Sequence, residues 1–140
     1  MEVTLAVLAD FASITREGKL NVLGIFQEVN PQSLPTVLPI FYVVVAYEAG
    51  PAEVGSDKNI TLALQDADGT VSMRIEQNIT VPPAPRQGHR SGIQQISALI
   101  QVPFQQSGDY EFAILVNGEE KGHIPFRVND PEETANAPGG

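Results

Sequence analysis

The chain is predicted to fold as one β-sandwich of seven to eight mainly antiparallel strands, with immunoglobulin-like or C2-like packing. Three observations lead to this fold class. Eight short apolar runs follow one another along the 140 residues, each bounded by Gly, Pro, Asn or Asp. Within most runs apolar and polar residues alternate, and almost no segment has helical spacing. Two connections carry hairpin turn sequences, Asp66-Ala67-Asp68-Gly69 and Asn117-Gly118.

The first half of the chain predicts three strands. The first covers Val3 to Asp10, and the second covers Leu20 to Phe26 with Gly24 inside it, which indicates a bulge or a close backbone approach. The third, Ile40 to Tyr47, is rich in β-branched and aromatic residues and is apolar on both faces. We therefore expect it in the interior of a sheet, covered on both sides or nearly so. The prolines at 31, 35 and 39 predict a loop before it.

The fourth and fifth strands form a predicted hairpin over residues 59–78. A four-residue type I turn at Asp66 to Gly69 would place Leu64 opposite Val71 and Leu62 opposite Met73. The sixth strand alternates from Ile96 to Val102.

The last two strands, residues 110–116 and 120–128, are joined at Asn117-Gly118. A plain two-residue turn would put Phe112 opposite His123, which sends the apolar residues of the two strands to opposite faces. A three-residue loop or a bulge near Gly122 restores the match, and we expect one of these. Residues 1–128 are therefore predicted to form the sandwich. Residues 129–140, without large apolar side chains, are predicted to form a disordered acidic tail.

Charge and composition narrow the function classes. The chain has 8 Lys and Arg against 17 Asp and Glu, a formal net charge of −9. Nucleic acid and anionic membranes are therefore not expected as partners. The sequence has no cysteine and no apolar run long enough to span a bilayer, and its apolar N-terminal stretch begins with Glu2 where a signal peptide would be basic. A cytoplasmic location is expected; the oligomeric state is left open.

One loop concentrates cations in this acidic chain. Residues 80–92 contain three prolines and two glycines and form the longest predicted connection, and they carry Arg86, His89 and Arg90. We predict these three residues as the contact for a protein partner or an anion. An ordinary solvated loop is the alternative, and it is the more common case.

No motif predicts an active site, a cofactor or a metal centre, so no enzyme is expected. His123 is predicted as a surface residue of a strand. The carboxylates of Asp10, Asp66, Asp68 and Asp109 could supply oxygen ligands to calcium at the loop ends, although aspartate in such turns commonly caps its own backbone.

The segment from Ala9 to Phe26 resembles the opening of a family of small bacterial proteins of unknown function, in which a strand ending in Ala-Asp precedes a GKLNVLGIF-like stretch. The turn at Asp66 to Gly69 and the later Asn117-Gly118 hairpin match in order. The resemblance implies a single β-sandwich and carries no functional residues. The predicted function is a non-catalytic interaction or structural module; the alternative is a domain that binds a small ligand or calcium.

Overall fold

The computed structural model describes residues 1–132, and its regular structure is almost entirely β-strand. The strands within this range are β1 (Glu2–Ile14), β2 (Leu20–Phe26), β3 (Glu28–Val29), β4 (Thr36–Ala49), β5 (Asp57–Asp66), β6 (Val71–Thr80), β7 (Ser91–Phe104), β8 (Gly108–Val116) and β9 (Glu119–Val128). One turn of 3-10 helix, Pro51–Glu53, lies between β4 and β5. No helix in the described part of the chain has the length and apolarity needed to cross a membrane.

The strands form two sheets. Sheet A has the order β2-β1-β4-β7, and sheet B has the order β3-β9-β8-β5-β6. All pairings are antiparallel except the short parallel pairing of β3 with β9. The predicted β-sandwich is confirmed. The strand that the sequence did not indicate is β3, because two residues are too few to show alternation.

The core lies between the inward faces of the two sheets. Sheet A contributes the odd-numbered residues in the middle of β4 and parts of β1 and β7 to this core. Sheet B contributes alternate residues of β5, β8 and β9. Its largest fully buried side chains are Tyr47, Phe104, Phe112, Leu8, Ile60, Leu62, Leu64 and Ile114.

The interior position predicted for the third apolar run is confirmed, since β4 lies between β1 and β7. The loop predicted around Pro39 is wrong in part, because β4 already begins at Thr36 and contains this proline. Pro39 and the facing Gln101, which has a φ of 54°, mark a break in the pairing of β4 with β7. This irregularity lets a residue without an N–H remain inside the strand.

The β1–β2 hairpin confirms the prediction for Gly24. Its φ of 70° is in the left-handed region, and a Cβ at this position would collide with the side chain of Asp10. The first strand is longer than predicted, because Phe11, Ala12 and Ile14 also pair with β2.

The β5–β6 turn is confirmed, but the predicted register is wrong. The Gly69 N–H donates to the Asp66 carbonyl at 3.0 Å, as the turn requires. However, Leu64 faces Met73 instead of Val71, with a bulge between Leu64 and Gln65. Gly69 has a φ of 81°, so the turn continues into a bulge that adds residues on the β6 side. The observed register differs from the predicted one by two residues, an even number, so Met73 still packs against the core.

The β8–β9 hairpin has the predicted bulge. Phe112 pairs with Ile124, Ile114 pairs with Gly122, and the register shifts before Leu115 pairs with Glu120. The apolar residues of both strands therefore face the core.

The end of the sandwich domain lies slightly beyond the predicted residue 128. The Asn129 N–H donates to the Val29 carbonyl at 2.9 Å, and the Asn129 side chain donates to Asn30 at 2.8 Å. Residues 133–140, on which most of the tail prediction falls, lie outside the described residues.

Candidate interaction surface

The most unusual surface of the protein is the outward face of sheet A, hereafter the apolar face. In β4, Phe41, Val43 and Val45 belong to the core, so the alternate residues point away from it. Pairing places Ala9 beside Tyr42 and Tyr42 beside Ala98, and in the next row Val7 beside Val44 and Val44 beside Ile96. The apolar side chains of this face are those of Leu5, Val7, Ala9, Phe11, Leu23, Ile25, Ile40, Tyr42, Val44, Ala46, Ile96, Ala98 and Ile100, and the polar Gln94 stands beside Ala46 on the same side.

The exposed apolar side chains concentrate on this sheet. Of the eight large hydrophobic residues exposed in the described chain, seven lie in strands of sheet A, and the eighth is Val54. Five of them stand on the apolar face: Ile100 at 69 % exposed, Leu23 at 63 %, Ile25 at 58 %, Ile40 at 49 % and Phe11 at 46 %. Single exposed hydrophobics are normal on proteins, so the notable feature is that these five share one face of one sheet.

The centre of the face is well packed even though no third layer of strands covers it. Val44 is 0 % exposed, between Val7 and Ile96 on the neighbouring strands. The rings of Phe11 and Tyr42 meet edge-to-face with centroids 5.5 Å apart. The face is therefore a rigid apolar platform with an aromatic pair on it.

The two sheets differ sharply in charge. The strands of sheet A contain three charged residues, Glu2, Asp10 and Glu48, whereas the strands of sheet B contain twelve. Glu2 pairs with Glu48 at one end of sheet A. Asp10 lies between the outward residues Ala9 and Phe11, so it is on the inward side of β1. The outward face of sheet B carries polar groups such as Arg74, Glu76, Glu111 and His123, the last exposed as predicted.

The predicted basic cluster is only partly available to a partner. Arg90 lies against the strands, where its Nε is 3.3 Å from the Glu48 carboxylate and its Nη2 is 3.6 Å from that of Glu2. Arg86 and His89 are exposed in the loop and joined by a turn hydrogen bond of 3.1 Å from the His89 N–H to the Arg86 carbonyl. The two nearby carboxylates offset much of the positive charge that motivated the prediction.

Of the four carboxylates considered for calcium, Asp66, Asp68 and Asp109 line one groove of about 330 Å³. The Asp66 Oδ1 accepts the backbone N–H groups of Asp68 and Thr70 at 2.9 and 3.0 Å, which is turn capping. Asp109 pairs with Arg127 at 3.1 Å, and Asp10 belongs to the other sheet. Within residues 1–132, no three His, Asp or Glu side chains come close enough to hold a metal ion.

A further groove lies beside β3. It has a volume of about 730 Å³ and is wide open, and Phe26, Tyr110 and Arg127 help to line it. Its arginine is the one already paired with Asp109. Every buried side-chain polar atom in the described chain has a hydrogen-bond partner, so none is left aimed at a ligand.

The shifted pKa values have structural causes. Burial raises the pKa of Tyr47, whose hydroxyl donates to the Gln95 side-chain oxygen at 2.6 Å. The N-terminal ammonium, the Gly50 N–H and Lys58 lower the pKa of Glu53 from 4.5 to about 2. Neither group stands beside a nucleophile in a cleft, which would be the arrangement expected of a catalytic site.

The sequence did not predict the apolar face, although it contained a signal. The third run was interpreted as covered on both sides because it is apolar on both faces. The same double-sided pattern occurs in β1, where Leu5, Val7 and Phe11 alternate with the inward Ala6 and Leu8. Two adjacent strands with this pattern indicate a sheet whose outward face is apolar.

Comparison with known proteins supports the fold and the family. Among curated proteins no match is found. The chain is similar in structure to the Pseudomonas fluorescens alkylpurine DNA glycosylase AlkC bound to DNA containing an abasic site analog, with a TM-score of 0.52 and 11 % identity. The match covers 91 % of this chain and 30 % of that chain, and at this identity it shows the fold alone. A family model matches residues 4–129, and the chain therefore belongs to a family of unknown function, DUF6941.

Proposed function

We propose that this protein is a non-catalytic interaction module of the bacterial cytoplasm that binds a protein partner through the apolar face. The contrast between the two outward faces carries this proposal. The outward face of sheet B carries charged and polar side chains, whereas thirteen outward side chains of sheet A carry no charge and its charged Glu2 and Glu48 stand at one end of the sheet. Exposure of such a face to water is unfavourable. Its burial contributes a favourable free energy of roughly 25 cal/mol per Å² of apolar surface removed from water.

The composition of the face favours a protein surface over other partners. Aromatic and aliphatic side chains on a rigid scaffold are typical of the buried centre of protein interfaces, and Phe11 with Tyr42 would serve as its anchors. Nucleic acid is not proposed as the partner, because the face has no Lys or Arg to neutralise phosphates and the chain carries a net charge of −9.

A crosslinking experiment in cells of the native host tests the proposal. A photo-reactive amino acid is placed at Leu23 or Ile100 on the apolar face, with matched controls at Arg74 and His123 on the outward face of sheet B. All four positions are exposed, so the label reaches the solvent equally well. We expect discrete adducts of defined mass from the first two positions only. Equal labelling from both sheets, or no adduct from the apolar face, would refute the proposal.

A further inference from the structure

We infer that the connection between β6 and β7 is a second binding site, which presents a polyproline II segment to an aromatic-lined groove of a partner protein. The segment, hereafter the proline segment, covers Val81 to Arg86 and has the sequence VPPAPR. It follows the last residue of β6, Thr80, and lies outside the strands. This contact goes beyond the proposed function, because it uses a loop and not the apolar face.

The sequence itself restricts the backbone of the proline segment. The rings of Pro82, Pro83 and Pro85 fix the φ angles of these residues at about −65°. A residue that precedes a proline is driven toward extended or polyproline II conformations, and this applies to Val81, Pro82 and Ala84. The whole stretch is therefore held close to the polyproline II helix, which has about three residues per turn and a rise of about 3.1 Å per residue.

The burial of the proline segment follows the period of this helix. Residues three positions apart form one column of a polyproline II helix, which therefore has three columns of side chains. Val81 is buried and Ala84 is half-buried, so their column faces the protein. The other two columns are exposed, and they consist of Pro82 with Pro85 and of Pro83 with Arg86. The fold thus leaves two of the three columns available to a partner.

Hydrogen bonds fix the start of the proline segment to the body of the sandwich. The Val81 N–H donates to the Ser56 carbonyl at 2.9 Å, and the Val81 carbonyl accepts the Gly55 N–H at 2.9 Å. The Ser91 hydroxyl donates to the Pro82 carbonyl at 2.6 Å, which holds the segment against the start of β7. Because proline rings and hydrogen bonds restrict the segment before binding, little conformational entropy is lost when a partner binds it.

The two exposed columns determine the chemistry of the partner. Pro-x-x-Pro segments dock in grooves lined by aromatic rings, and Pro82 and Pro85 have this spacing, about 9 Å along the helix axis. Arg86 follows them as an exposed cation, and within residues 1–132 its guanidinium has no ion pair, whereas Arg90 pairs with Glu48. The partner is therefore a protein domain whose aromatic groove carries a carboxylate at one end.

An NMR titration of the isotope-labelled full chain with a purified SH3 domain, and separately with a purified WW domain, tests the inference. Both domains bind polyproline II segments through aromatic grooves. With at least one of them we expect a dissociation constant below about 1 mM and shift changes centred on the amides of Ala84, Arg86 and Gln87. Pro82→Ala/Pro85→Ala should weaken binding roughly tenfold or more, and Arg86→Glu roughly threefold or more.

Pro125→Ala and Arg16→Glu are the matched controls. They make the same chemical changes at an exposed proline of β9 and at an exposed arginine of the β1–β2 turn, so both should leave the affinity unchanged. The amide spectra of all variants show directly whether they are folded.

The outcomes separate this inference from the proposed function. The absence of binding to both domains at about 1 mM overturns the inference, and so do shift changes centred outside the proline segment. Binding that survives Pro82→Ala/Pro85→Ala also overturns it, because the contact would then not depend on the proline rings. The crosslinks from Leu23 and Ile100 test the apolar face separately, so either proposal can fail while the other stands.

Discussion

Two hydrogen bonds in series, from Tyr47 to Gln95 and from Gln95 to Gln77, connect the two sheets, and removing the Tyr47 hydroxyl should measurably destabilise the protein. Tyr47 is 1 % exposed and lies in β4 of sheet A. Its hydroxyl donates to the Gln95 side-chain oxygen at 2.6 Å, and the Gln95 amide nitrogen donates to the Gln77 side-chain oxygen at 2.7 Å. Gln77 belongs to β6 of sheet B. Together these bonds join β4, β7 and β6 along one edge of the sandwich.

The expected magnitude follows from the burial of the acceptor. Gln95 is 7 % exposed, so Tyr47→Phe leaves its amide oxygen without a donor in a place that bulk water hardly reaches. An unsatisfied buried acceptor costs about 1–3 kcal/mol. For a domain of this size the entropy of unfolding is about 0.3 kcal/mol/K, so the melting temperature should fall by about 3–10 °C. In Tyr47→Phe/Gln95→Leu both partners become apolar, and the free energy of unfolding should fall by less than the sum of the single losses.

Urea unfolding followed by circular dichroism measures these differences, and Tyr110→Phe serves as the control. The Tyr110 hydroxyl also donates one hydrogen bond, to the Gln106 carbonyl at 2.7 Å, but this bond is exposed to water. Its loss should change the free energy of unfolding by less than about 1 kcal/mol, because water replaces the donor. Equal effects of the two Tyr→Phe substitutions, or an additive double variant, would show that the reasoning about Tyr47 is wrong.

Three further predictions concern the fold, an ion pair and the calcium alternative. Val44→Asp should prevent soluble expression, because an unpaired carboxylate at a 0 % exposed site costs several kcal/mol; a cooperatively folding variant would contradict this. Glu53 has a pKa of about 2, below its usual 4.5, so its ion pairs stabilise the fold above pH 4.5 and are lost as the pH falls toward 2. Glu53→Gln should therefore lower the melting temperature at pH 7, and the difference from wild type should shrink in acid. Calcium and EDTA should each leave the melting temperature unchanged, whereas a rise of several degrees with calcium would revive the alternative.

The two-residue period of strands explains how much of the fold followed from the sequence. Alternation and turn residues are local properties, so they identified eight of the strands and the turns at Gly69 and Asn117-Gly118. The prediction of the β5–β6 register was wrong because the backbone conformation of one residue, Gly69, decides this register. Gly69 with a positive φ leads into a bulge, whereas a simple type I turn would not, and the local sequence fits both.

The candidate site could not be predicted in the same way, because it depends on which strands become neighbours. The apolar face exists because β1 and β7 flank β4, and these three strands are far apart in the sequence. The surroundings of the basic cluster could not be predicted for a related reason. Arg90 is only one residue before β7, and the pairing of β4 with β1 and β7 brings Glu48 and Glu2 within reach of it. Local composition shows that a cationic side chain is present, but it does not show whether the folded chain places a carboxylate beside it.

The distribution of charge in the protein opposes the association of two copies through the exposed apolar face. The charged residues concentrate in sheet B and the connections, so the net charge of −9 acts at long range in every approach of two copies. The apolar attraction acts only at contact and only through one face of the molecule. Long-range repulsion and short-range burial thus oppose each other in the same encounter, and the ionic strength sets their balance.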